Sequence, residues 1–537
     1  MRSGLQNSSD EFAAGTPHVS TKDFVSWRIA QFVFVISLFL IALFWASYIL
    51  EMKPGHYYSK DDLNFFGPRT AAYLRGDDNA FWSTPQGPHL HIGYKLQSVL
   101  LMKHFNWNSH LLALAGIYVL CAFAWFGRHR WEVVPNTESG PAKRPALPTA
   151  LVWLLVNMAF ALALIGHLNV RSFGYTMLLL NNPLITVSGA IMLYSFAALL
   201  AKGSQRQFAM AAAFIASTIF IFWGIAIAIS PFFMAALAAM GAVAFVLNFI
   251  KRRKGGDASM QSISAVLKSL RLPIAGGLAA LILALAYFAY VSATPRSGTI
   301  NLEGIDLVSL VPNISYVTTG LSVLGIKASL FSTSITMALL ALSLLVLAQS
   351  RFLGTTNKLF LLGVFVLVVT FSTGTVLLRG ASALMSPRYI PTIGTLYIAI
   401  VWCLGQLVWR ALHATDEPSF EGSARRSFEL GTGIALLLIS VAFSVAGFSI
   451  VADRSGTLKR YHQIRADFVL HAPIDLVTLN PRHLGYCSAR AEICKTEVLR
   501  MRCFDRKVPY ELCISGSSDE LLSHLEALAG SRPELLK

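Results

Sequence analysis

Polar chemistry is scarce in this chain, and most of it gathers in one stretch, 57–103, which begins YYSKDDLNFFGPRT and runs on through GPHLHIGYKLQSVLLMK. Asp61 and Asp62 are adjacent there, behind Tyr57 and Tyr58 and ahead of Phe65 and Phe66. Adjacent acids in a surface loop are ordinarily just solvated. Aromatic neighbours that favour a membrane interface change that, because a carboxylate near low-dielectric surroundings gains the raised pKa that a general base needs. His89, His91 and Lys95 follow. A helix that has begun by His91 carries His91 and Lys95 on one face, one turn apart, a pairing suited to an anion or a polarised hydroxyl. A His-Lys pair at a helix start also serves as a plain interface anchor. A third candidate is Arg388-Tyr389, set between Pro387 and Pro391, where a guanidinium fork could grip a phosphate. Arg171 and Arg379 are supporting cations of the same kind.

These residues stand between long apolar runs. The chain has 537 residues, 55% of them hydrophobic and 13% charged, with a mean hydropathy of +0.57, values that belong to integral membrane proteins. The net charge of +16 is spread as small clusters between those runs and not as one continuous basic surface, so a nucleic-acid partner is not expected.

Spanning-length apolar runs recur at 28–50, 96–126, 148–168, 183–201, 208–229, 231–250, 272–293, 331–350, 359–378, 389–409 and 428–450. They predict a polytopic α-helical protein of about eleven transmembrane helices. The leading polar segment, 1–23, reads as a disordered cytoplasmic N-terminus. The first apolar run is too long for a cleavable signal. The membrane domain is expected over 24–451. Basic links fall at alternate connections, at Arg128–Arg144, Lys202–Arg206, Lys251–Lys254, Arg351–Lys358 and Arg410–Arg426. By the positive-inside rule these are cytoplasmic, which leaves loops 51–95, 169–182, 292–330 and 379–389 on the outer face.

From 452 to 537 the composition turns mixed and reads as a small outward domain, expected to be α/β. Cys487, Cys494, Cys503 and Cys513 lie in it, four of the six cysteines. Two disulfides follow, with three connectivities open; loop closure favours Cys487–Cys494 and Cys503–Cys513. A zinc site lacks the close CxxC spacing it would need.

The order of these features resembles the GT-C superfamily of integral-membrane glycosyltransferases. The likeness is carried by a first helix, the Asp61-Asp62 pair, the PHLHIGYKL approach to the second helix, many spans, then SPRYIP ahead of a late one. More narrowly, it resembles bacterial enzymes that use a polyprenyl-phosphate-linked sugar on the outer side of the inner membrane. The resemblance implies an inverting transfer to a cell-envelope glycan such as O-antigen or another surface polysaccharide. Asp61 would take a proton from the acceptor hydroxyl, and Asp62 would position the loop, the acceptor or a metal. Arg388 with Tyr389, supported by Lys95, His91, His89, Arg171 or Arg379, would receive the lipid phosphate. A divalent cation, Mg or Mn, is an option that one acidic pair leaves open. A flippase of lipid-linked glycans and a non-catalytic membrane subunit are the rival readings. The lack of an obvious internal repeat and of acids within the spans weighs against the first.

Overall fold

The computed structural model describes residues 21–52, 65–84, 91–128, 146–166, 178–201, 207–225, 230–254, 270–292, 330–379, 390–414, 420–471, 474, 491–506, 508–514 and 517–531. Every regular element among them is helical: α1 (Thr21–Met52), α2 (Gly67–Arg75), α3 (Ile92–His104), α4 (His110–Gly127), α5 (Ala146–Ile165), α6 (Leu178–Leu200), α7 (Gln207–Ile219, extended by a π-helical turn, Phe220–Ile225), α8 (Ser230–Lys254), α9 (Arg271–Ser292), α10 (Leu330–Gln349), α11 (Thr355–Arg379), α12 (Ile390–His413), α13 (Phe420–His471), α14 (Ala491–Asp505), α15 (Tyr510–Cys513) and α16 (Ser518–Ser531).

Eight of these are long and apolar enough to cross a bilayer, from Ser26–Glu51 in α1 to Gly422–Ala446 in α13. Three more apolar segments, Gln207–Phe222, Arg271–Ala286 and Ser334–Gln349, coincide with predicted runs but are shorter. The chain is therefore a polytopic helical membrane protein with eight full-length spans among the described residues, against the eleven expected. The physical reason for helices is the solvent. In hydrocarbon each backbone N–H and C=O needs a partner within its own segment.

One predicted run is broken. The 96–126 stretch is two helices, α3 and α4, separated by a turn in which Asn106 and Trp107 have φ of 46° and 56°. The N–H groups of Phe105 and Trp107 both return to the Leu101 carbonyl, at 3.1 and 2.9 Å, and close α3 with a left-handed cap. Lys103 and His104 thus occupy the last, exposed turn of α3, where positive charge suits the helix dipole.

α12 lies at the centre of the bundle, packed on α5, α11 and α13, and α1, α8 and α13 lie at the periphery. The outer face of α1 presents Phe32 and Phe39 outward, as a lipid-facing surface does. Inside, Trp27 of α1 packs on Trp153 of α5 and Trp409 of α12, with centroids 5.0 and 6.5 Å apart. Glycines let helices approach closely. A methyl group on Gly433 would stand 2.6 Å from Val408 Cγ2, and Gly363 lies directly against Met240.

The late basic links gather at one end of the bundle and do more than mark topology. Lys358 and Arg425 donate to the Ala348 and Gln349 carbonyls at the end of α10, at 2.9 and 3.0 Å. Arg426 donates to the Ala411 and Leu412 carbonyls at the end of α12. Each cation caps a helix C-terminus whose last carbonyls have no partner within the helix. Glu429 accepts from Ser350 Oγ at 2.6 Å and pairs with Arg425 at 3.0 Å, so the one buried acid there is fully engaged.

The tail is described in part. Its described elements, α14 to α16, are helices, with no strand among the described residues where an α/β arrangement was expected. The composition change near 451 is no break in the backbone either, because α13 runs unbroken for 52 residues through that point. Cys503 and Cys513 form a disulfide, as sequential pairing requires. Cys494 is disulfide-bonded too, and its expected partner Cys487 lies outside the described residues.

Candidate functional site

The loop between the first two full-length spans is built on two short helices. α2 opens with a proline in its first turn, a position where the missing N–H is not needed, and ends at Gly76, whose φ of 87° only glycine adopts without strain. The Gly76 and Asp77 amides return to Tyr73 and Ala72 at 3.0 and 2.8 Å, and the chain folds back along the helix. Tyr73 then stacks on Phe81 at 4.9 Å, and Trp82 closes edge-on at 5.5 Å.

Lys95 enters beneath this fold. Its side chain is fully buried, and Nζ donates to the carbonyls of Thr84 (2.6 Å) and Trp82 (3.2 Å) while lying 5.6 Å from the Phe81 ring. Burial pushes its pKa down to about 8, Arg69 pushes the same way, and Asp78 opposes both. Arg69 lies over the Phe65 ring at 5.2 Å and faces Asp78 at 3.7 Å. Thr70 and Ser98 share a hydrogen bond of 2.9 Å that ties α2 to α3, and Ser98 donates onward to the Lys95 carbonyl.

His91 stands immediately before α3, 4% exposed, with φ of 53° and ψ of 36°. A non-glycine residue held left-handed is an unusual backbone state that concentrates at functional positions. Its carbonyl accepts the Lys95 amide at 2.8 Å, and its ring packs against Phe66 at 5.6 Å. His91 precedes Lys95 by one turn but lies ahead of α3, which begins at Ile92. The environment differs from the expectation: Lys95 grips backbone carbonyls of its own loop instead of facing an open phosphate site.

Asp61, Asp62, His89, Arg171, Arg388, Tyr389 and Cys487 lie outside the described residues. Of the expected disordered leader, 1–23, residues 1–20 also lie outside them, and α1 begins at Thr21. Arg379 is the last residue of α11. Among the described residues no group of three or more metal-binding side chains comes together.

Three features escaped the motif reading. A second acidic pair, Asp77-Asp78, sits in the same loop, with Asp77 held by Arg75 at 2.7 Å and Asp78 by Arg69. The DD repeat after RTAAYLRG was the available signal. Gln97, two residues beyond Lys95, donates to Asn181 Oδ1 of α6 at 2.9 Å and joins the loop to the bundle. One turn further along α6, Ile185 and Thr186 line a cavity of about 280 Å³ between the membrane helices. Its walls include Phe160, Tyr194, Phe233, Phe360, Leu367 and Trp402, with Thr392 and Thr395 from the first turns of α12, just beyond Arg388-Tyr389 in the chain. Such a cavity suits an apolar chain with few polar requirements. Lining residues scattered over many helices leave no local pattern to read.

Comparison with protein-family models, with curated proteins and with solved structures found no match.

Proposed function

We propose that the protein is an inverting glycosyltransferase that moves a sugar from a polyprenyl-phosphate donor to a cell-envelope glycan at the periplasmic face of a bacterial inner membrane. The observation that carries this reading is the apolar cavity whose α6 wall is hydrogen-bonded, through Asn181 and Gln97, to the helix bearing Lys95. An isoprenoid chain in that cavity would bring its phosphate toward the end of the bundle where the loop folds. Asp61 is the base that takes the acceptor hydroxyl proton, and Asp62 holds the loop or the acceptor. The lipid phosphate leaves as a stable anion, so the enzyme chiefly supplies cations, a role given to Arg388, Arg171 and Arg379. Lys95, committed to two carbonyls, shapes the loop instead.

The test is sugar transfer by membranes supplied with polyprenyl-phosphate sugars. Asp61→Asn keeps the side chain's shape and removes the base, so the rate should fall on the order of 10²–10⁴-fold at unchanged expression. Transfer at the wild-type rate by both Asp61→Asn and Asp62→Asn would remove this loop from the chemistry. Asp78→Asn serves as the comparison, since its carboxylate is already held by Arg69.

A further inference from the structure

Among the described residues the tail packs on the end of α13, where Arg502 donates to the Val469 carbonyl, and on the loop between the first two spans, and the loop contact is built from both sides. α14 packs on α2, and α15 packs on α3. Arg75, the last residue of α2, sends Nη1 to the carbonyl of Ile514, 439 positions away, at 2.6 Å, while its Nε holds Asp77. On the tail side, Arg500 of α14 donates from Nε to the carbonyl of Cys513, the residue just before, at 3.0 Å. Two neighbouring carbonyls are thus taken by two guanidinium groups, one from the tail and one from the loop.

The tail side of this contact is rigid. Arg500 and Glu497 form an ion pair with both side chains 2% exposed. Burial raises the Glu497 pKa, and the charges of Arg500 and Arg75 pull it back, which puts the loop arginine within electrostatic reach of the tail's buried acid. The Cys503–Cys513 disulfide joins α14 to α15 with both residues fully buried. The carbonyls of Cys513 and Ile514 are therefore held at fixed points by a covalent link and a buried pair.

The loop side is weak alone. α2 has nine residues, below the length at which a helix is stable without tertiary support. Its polar ties among the described residues include the Thr70–Ser98 bond to α3 and the Arg75–Ile514 bond to the tail. Immediately after Arg75 comes the fold-back segment whose Trp82 and Thr84 carbonyls hold Lys95.

We propose that the disulfide-bonded α14–α15 turn is a brace for the loop, acting through Arg75 as its positioning residue, and that it fixes α2 and the Lys95-bound segment in place. This goes beyond the transferase reading and stands whether or not the chain transfers sugar.

The experiment is hydrogen exchange on the full-length protein in detergent, read peptide by peptide. Arg75→Ala should raise exchange over 67–84 roughly tenfold or more, the size expected when a hydrogen bond from a charged donor is lost. α5 and α12 should keep wild-type protection. Arg75→Lys, which retains a cationic donor, should restore most of it. A Cys503→Ala/Cys513→Ala variant should raise exchange over the same 67–84 window, although the changes lie more than 400 positions away in the chain. Should that double variant fail to fold, Arg75→Ala decides alone. Wild-type protection of 67–84 in Arg75→Ala would overturn the brace, and so would a folded Cys503→Ala/Cys513→Ala variant in which that window is unchanged.

Discussion

Lys95 offers a test that needs no knowledge of substrate. Its ammonium is buried with two carbonyl partners, and its pKa falls from 10.5 to about 8. The sign follows from proton counting. Below pH 8 folded and unfolded chains both carry the proton, and the folded state bears the full cost of burying it. Between about 8 and 10.5 the folded state releases the proton while the unfolded state keeps it, so the unfolded state binds more protons and stability rises with pH. A pKa lowered from 10.5 to about 8 corresponds to a differential cost on the order of 3 kcal/mol. Lys95→Met removes the charge but strands the Trp82 and Thr84 carbonyls, a loss of about 1–3 kcal/mol for each. The two effects oppose, so the absolute stability of the variant at pH 7 is a poor readout, and the slope is the good one. Thermal unfolding followed by tryptophan fluorescence, Trp82 being a neighbour, should show wild type gaining stability relative to Lys95→Met from pH 8 to pH 10. Parallel curves for the two proteins over that range would refute the buried ammonium.

Two further outcomes follow from packing. Gly433→Ala should destabilise the bundle by about 1–3 kcal/mol, because the added methyl meets Val408 and Leu407, whereas Gly431→Ala, with nothing within 4 Å, should be neutral or slightly stabilising; a thermal comparison of this matched pair isolates the close approach of α12 and α13. Ala399→Phe projects a ring into the 280 Å³ cavity and should weaken binding of a long-chain isoprenyl phosphate about tenfold, by the order of a few lost methylene contacts, while a short-chain analogue in the same competition assay is little affected.

Much of the membrane architecture was legible because lipid simplifies the code. A spanning helix must be apolar over a set length and satisfy its own backbone, so the described parts of the runs from 28–50 to 428–450 are helical, with the 96–126 run divided between two helices. The break after Lys103-His104 was hidden by averaging, since the apolar residues on both sides of Asn106-Trp107-Asn108-Ser109 outweigh a four-residue polar signal. At the site, residue type picked out His91 and Lys95 but not their surroundings. A lysine's partners depend on how the chain folds back 11 and 13 residues earlier, and the fold-back depends on Gly76. The Arg75–Ile514 bond spans nearly the whole chain, and without a second sequence to compare no local pattern announces it. The continuity of α13 past residue 451 was not legible for a related reason. Mixed composition separates water-exposed from lipid-exposed chain, and it does so equally well in the middle of a continuous helix.

That helix turns counting into geometry. At 1.5 Å per residue the 52 residues of α13 make a rod about 78 Å long, against a hydrocarbon thickness of about 30 Å. One end is clamped among Arg425, Arg426 and Glu429, and the other carries Val469, whose carbonyl accepts from Arg502 of the tail at 3.0 Å. The rod therefore sets both the height of the tail and its compass bearing. A single residue inserted past Ala446 would lift the tail by about 1.5 Å and swing it by about 100°, carrying the Ile514 carbonyl away from Arg75, while four inserted residues would return it to within about 40° of its original bearing, one turn higher.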